Sequence, residues 1–96
     1  MGDTTNLEEI RAELDELDNE MLELFKRRMR LSADVARYKE ARGIPTFRPQ
    51  REKEIIDEVK QKTDPELSEY AADFFLEIMR LSRKYQESLR SGGKDF

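Results

Sequence analysis

Apolar residues fall at Leu7, Ile10, Leu14, Leu17, Met21, Leu24, Leu31, Val35 and Tyr38, in alternating steps of three and four. That rhythm is the seam of a long helix with one packing side. Asn6 is placed to cap its start with Glu9 three residues in, and Gly43 supplies a stop. Pro49 suits the first position of a second, shorter helix to about Thr63, with Glu52, Ile55, Ile56 and Val59 on one face. Asp64-Pro65 opens a third segment, whose Leu67, Ala71, Phe74, Phe75, Ile78, Leu81, Tyr85 and Leu89 form a broad apolar stripe reaching to about Arg90. No stretch alternates with period two, so the pattern predicts an all-α chain of three helices, long, short and medium. The expected organisation is a disordered N-terminus over residues 1–6, a helical domain over 7–90 and a disordered tail over 91–96.

The first helix is too long for its own chain. Thirty-six residues of helix extend ~54 Å, whereas a compact chain of about 100 residues has a radius of gyration near ~13 Å. The other two helices can sheathe only part of the seam, and an exposed apolar strip would remain. The pattern therefore predicts an intertwined homodimeric helical bundle in which the long helices pair.

Composition narrows the chemistry. The chain has 96 residues and carries 18 Lys+Arg against 22 Asp+Glu, for a net charge of −4, with no Cys and no His. One domain with a small core fits that length. Disulfides, soft-metal sites, Ser-His-Asp triads and Cys-His dyads are excluded together. Catalysis here must use carboxylates, cations, hydroxyls or amides. The acidic balance argues against general binding to nucleic acid or anionic membranes. No apolar run approaches the ~20 residues of a membrane span, and the first residues lack the apolar core of a signal peptide. A cytoplasmic protein is expected.

Several polar residues stand where the helical pattern calls for apolar ones. Arg28 fills the seam position between Leu24 and Leu31. It is either a snorkelling or carboxylate-paired arginine, or part of a binding site. Lys39 lies about 20° from Arg28 in azimuth and about 16 Å along the axis, with Ser32 and Val35 on the strip between. Taken alone, Lys39 reads as a solvated surface lysine. Taken together, the two cations can lean inward from the ends of a ligand-sized gap. Ser82 and Gln86 share the core face of the third helix at i, i+4, either as a satisfied pair at the core edge or as hydrogen-bonding groups for a ligand. Arg51 and Glu52 open the apolar face of the second helix, where surface salt bridging is an equal explanation.

Arg11 is separated from Lys39 by ~42 Å of helix, so within one chain the two cannot meet on a small molecule. If the long helices pair antiparallel about a two-fold axis near residues 22–23, Arg11 of one chain falls opposite residues 33–35 of the other, between Arg28 and Lys39. Dimerisation then assembles two cationic pockets in an acidic protein, which points to a small anionic ligand rather than a polymer. The run Lys26-Arg27-Arg28-Met29-Arg30 carries little weight for nucleic acid, because its charges point all around the helix and no aromatic residues interleave.

The ordered set Arg11, Arg28, Lys39, Arg51-Glu52, Ser82 and Gln86 on long, short and medium helices resembles the all-helical (AroQ-class) chorismate mutases. The similarity runs from about Leu7 to Gln86. It implies an isomerase of aromatic amino acid biosynthesis, in the shikimate pathway, which converts chorismate to prephenate in an intertwined dimer with shared active sites. By position, Arg11 of the partner subunit and Arg28 would hold the two substrate carboxylates, with Arg51 and Ser82 assisting. Lys39 and Gln86 would face the ether oxygen of the breaking bond, and Glu52 the ring hydroxyl. Ser32 and Val35 would line the pocket.

The rearrangement is pericyclic and needs no nucleophile, metal, redox cofactor or obligatory proton transfer, so a chain without His or Cys is not handicapped. One position departs from the family's common pattern. Arg48 stands three residues before the Arg-Glu pair, where an Asp is usual, and it can neither accept a hydrogen bond nor cap a helix well. Hydroxyl recognition then falls more heavily on Glu52 or on backbone N–H groups. Two other readings use the same residues: a helical isochorismate-pyruvate lyase, or a non-catalytic dimerisation module whose polar seam residues fix register.

Overall fold

A computed structural model describes residues 6–90; the disorder expected of 1–5 and 91–96 lies outside the described residues. Three α-helices follow in order: α1, Leu7–Arg42; α2, Pro49–Gln61; and α3, Ser68–Arg90. A 3₁₀ turn, Pro65–Leu67, precedes α3. Among the described residues there is no strand. None of these helices is long and apolar enough to cross a membrane. The chain divides after Leu31 into two units.

The described part of the unit that ends at Leu31 consists of Asn6 and the first part of α1. The Asn6 side-chain oxygen accepts from the Glu8 backbone N–H at 2.8 Å, a cap on an otherwise orphaned donor, while the Asn6 carbonyl accepts from Ile10. Asn6 is thus the residue that caps α1. Glu8 and Glu9 in the first turn complement the helix dipole. The seam side chains predicted to pack stand open, from Ile10 at 41% to Leu31 at 63% exposure.

From Ser32 onward the chain folds back on itself. α1 ends in a Schellman motif: Gly43 N–H donates to Glu40 and Ile44 N–H to Lys39. Gly43 takes φ +67°. A Cβ there would meet nothing within 4 Å, so backbone handedness rather than space selects glycine. α2 starts at Pro49 as expected but stops at Gln61, short of Thr63; the Thr63 hydroxyl donates back to the Val59 carbonyl at 2.5 Å and closes the end. Asp64 makes no side-chain cap bond. The proline after it starts the 3₁₀ turn, and α3 proper begins only at Ser68.

The inward face of α3 differs from the predicted stripe. Its buried residues are Ala72, Met79, Ser82 and Gln86, centred about 90° of azimuth from the apolar stripe. Leu67, Phe74 and Tyr85 are exposed, and Phe75, Ile78, Leu81 and Leu89 are half-buried. Small residues explain the difference, because Ala33 and Ala36 of α1 and Ala72 of α3 are also buried. Small residues permit close approach, whereas the aromatics need more room than one chain encloses.

Candidate active site

Among the described residues few are buried, and half of those are polar: Ser32, Thr46, Ser82 and Gln86 beside Ala33, Ala36, Ala72 and Met79. A polar group in so small a core needs a partner. The Ser32 hydroxyl donates to the Ser82 hydroxyl at 3.3 Å, joining the end of α1 to α3. Gln86, 8% exposed, has a side-chain oxygen with no protein partner.

Lys39 is half-buried on the last turns of α1, and its Nζ donates to the Thr46 carbonyl at 3.0 Å. Arg90, on the last turn of α3, donates to the Ile44 carbonyl at 2.6 Å and to the Thr46 hydroxyl at 3.1 Å. Two cations from two helices thus hold the 43–48 connection. Burial pushes the Lys39 ammonium below the usual lysine range, the Arg48 and Arg90 charges push it further, and Glu52 opposes them.

Glu52, one turn into α2 and half-buried, is held by Arg83 of α3, whose terminal nitrogen reaches both carboxylate oxygens. The Arg83 guanidinium also lies over the Phe47 ring, 4.8 Å from its centre. Arg48 occupies the N-cap of α2 without a side-chain cap bond, as its chemistry requires. Arg51 is exposed and lies 3.7 Å from Glu54. Val35 is exposed. Arg11 and Arg28 belong to the first unit, Arg11 exposed and Arg28 half-buried with its own interactions.

Ser32, Ser82 and Gln86 are therefore inward-facing, with a hydrogen bond between the two serines, while Lys39 lies within electrostatic range of Arg48, Arg90 and Glu52. Thr46, Arg83 and Arg90 were missed by the pattern. A signal for the two arginines exists: Arg83, Gln86 and Arg90 follow at steps of three and four, one stripe of polar groups on a helix already carrying a buried amide. What this corner can do is bind anions and donate hydrogen bonds. Only Glu52, among the residues placed here, accepts by charge.

The family model for type II chorismate mutases matches residues 10–87, and the chain belongs to that family. It is 46% identical over 55 residues to a chorismate mutase of Methanocaldococcus jannaschii, covering 57% of this chain and 56% of that protein. It is 35% identical over 85 residues to a 4-amino-4-deoxychorismate mutase of Streptomyces venezuelae, covering 88% of this chain and 75% of that one. Against a bifunctional chorismate mutase/prephenate dehydratase of Pseudomonas aeruginosa the identity is 32% over 96 aligned positions, 94% of this chain and 26% of the larger protein. The matched segments thus span little more than half of the first relative and about a quarter of the last.

Proposed function

We propose that this chain is an isomerase that rearranges chorismate to prephenate, working in the cytoplasm as an antiparallel, intertwined homodimer with two shared active sites. The observation that carries the reading is Gln86, a buried amide whose oxygen has no partner in the protein. Leaving such a group unpaired costs about 1–3 kcal/mol; turned by 180° about its last bond, the same amide presents an N–H in that place, which an oxygen of a bound ligand can accept.

In this reading, Arg11 of the partner subunit and Arg28 hold the two carboxylates of the substrate, assisted by Arg51 and Ser82, with Ser32 and Val35 lining the pocket. Arginine forks fix direction as well as position, which confines a flexible dianion to its reactive chair. As the C–O bond lengthens, negative charge grows on the ether oxygen. The Lys39 ammonium and the Gln86 amide N–H meet that charge, and Glu52 accepts the ring hydroxyl. The Lys39–Thr46 bond supports this assignment, because it fixes the ammonium before the substrate arrives. An acceleration near ~10⁶ requires about 8 kcal/mol of differential stabilisation, which these donors and the chair restriction together supply.

Two features support the dimer. The α1 seam is exposed over its length, and pairing about residues 22–23 brings Arg11 of the partner subunit to residues 33–35. The test is the loss of chorismate absorbance with purified protein, run beside isochorismate. Prephenate supports the assignment. Pyruvate and salicylate would make the protein a lyase, and no turnover of either would leave a dimerisation module.

A further inference from the structure

The carboxylate assigned to the substrate hydroxyl already has a cation. Arg83 reaches both oxygens of Glu52 through a single nitrogen and is itself braced by the Phe47 ring. A carboxylate offers about four acceptor directions, so this pairing consumes the charge of Glu52 and leaves lone pairs open. A neutral hydroxyl needs one acceptor and no compensating charge. An ammonium in the same place needs both.

The surroundings lean the same way. Arg48 lies one helical turn before Glu52, whose backbone N–H donates to the Arg48 carbonyl at 3.1 Å. Burial first, and then the Arg48 and Arg90 charges, disfavour the Lys39 ammonium, while Glu52 opposes them. Lys39 thus stands within electrostatic range of Arg48, Arg90 and Glu52, and Glu52 is itself bound by Arg83. A site that disfavours its own ammonium disfavours a second one brought in by a ligand.

We propose that the Arg83–Glu52 pair, with Arg48 on the preceding turn, makes the ring-hydroxyl subsite selective for a neutral hydroxyl and against an ammonium at that ring position. Chorismate is then accepted, and the 4-amino analogue, which one relative is named for rearranging, is refused. This deepens the mutase reading and rests on it. Arg83 acts through Glu52 and is a positioning residue.

The experiment compares kcat/KM for chorismate and for 4-amino-4-deoxychorismate on the full chain and three variants. The unaltered protein should favour chorismate by about 100-fold or more, since like charges brought together inside a site discriminate strongly. Arg83→Met frees the Glu52 charge and should cut that preference at least ~10-fold, raising KM for chorismate more than it lowers kcat. Arg83→Lys, which keeps the charge, should restore the preference. Arg48→Asp loses no cap bond and should shift the preference toward the amine, which keeps the test readable if Arg83→Met does not fold. Equal loss on both substrates in Arg83→Met and an unmoved ratio in Arg48→Asp would make these arginines merely structural and overturn the proposal. Efficient use of the amine by the unaltered protein would also overturn it. Turnover of neither substrate would instead bring down the mutase reading itself.

Discussion

Lys39 donates from its ammonium to the main-chain carbonyl of Thr46 at 3.0 Å, so the cation assigned to the ether oxygen is anchored by the backbone that links α1 to α2. Replacing it with Met should lower kcat about 10²–10³-fold, the usual effect of removing one preorganised donor. Circular dichroism should show the helices unchanged. Turnover close to that of the unaltered chain would refute the role.

The same residue sets a pH dependence. Catalysis needs the protonated amine, and burial with Arg48 and Arg90 lowers its pKa from the ordinary 10.5. Activity should therefore fall on the alkaline side with a midpoint below that value. Arg90→Met, by removing one repelling charge, should move the midpoint upward. An alkaline limb at or above the ordinary lysine value, measured with kcat/KM against pH, would contradict this environment.

Gln86 should show function and stability opposed. Gln86→Met removes a buried oxygen that has no partner in the chain, and apolar replacement of a buried unsatisfied group is neutral or stabilising by about 1 kcal/mol. For a domain of this size that gain raises Tm by about 4–8 °C. The kcat of the same variant should drop at least ~10²-fold. A variant that melts earlier yet retains its rate would show the amide to be structural.

The open seam of α1 predicts the assembly. Leu14 and Leu17 are 50% and 52% exposed in the single chain, and Leu17→Glu places a charge on that seam. Sedimentation velocity at micromolar concentration should show dimers for the unaltered protein and monomers for the variant, with activity lost alongside because Arg11 of the partner subunit is withdrawn. A monomeric unaltered protein would break the shared-site model.

Thr46 should couple the connection between α1 and α2 to turnover. Thr46→Val removes one of the two bonds Arg90 makes to the 43–48 segment and keeps the one to Ile44. The expected cost is about 1 kcal/mol of stability. Backbone hydrogen exchange should quicken at Ile44, Thr46 and Phe47. A fall in kcat larger than the change in KM is expected, because the Lys39 anchor loosens.

What the sequence made legible was local. The three-and-four spacing from Leu7 to Tyr38, the cap at Asn6, the stop at Gly43 and the start at Pro49 depend on neighbours a few residues away, and the structure agrees with each. The orientation of α3 was not legible, because Phe74 and Tyr85 are the more apolar choice while close approach favoured Ala72 and left Ser82 and Gln86 inside. Arg83 escaped for a related reason. An arginine beside a serine looks like surface, and its partner Glu52 lies 31 positions earlier on another helix. Thr46 was hidden in a connection with no periodicity to read.

Among the described residues, the four driest polar side chains, Ser32, Thr46, Ser82 and Gln86, equal in number the driest apolar ones. Such an interior is poorly suited to withstand heat by itself, since hydroxyls and amides gain little from being enclosed. A library screened only for survival at high temperature should therefore drift toward Ala, Val and Met at Ser82 and Gln86, and the toughest survivors should be inert. Screening in the presence of a tightly held dicarboxylate ought to preserve both, because the guest then contributes to folding what the interior withholds.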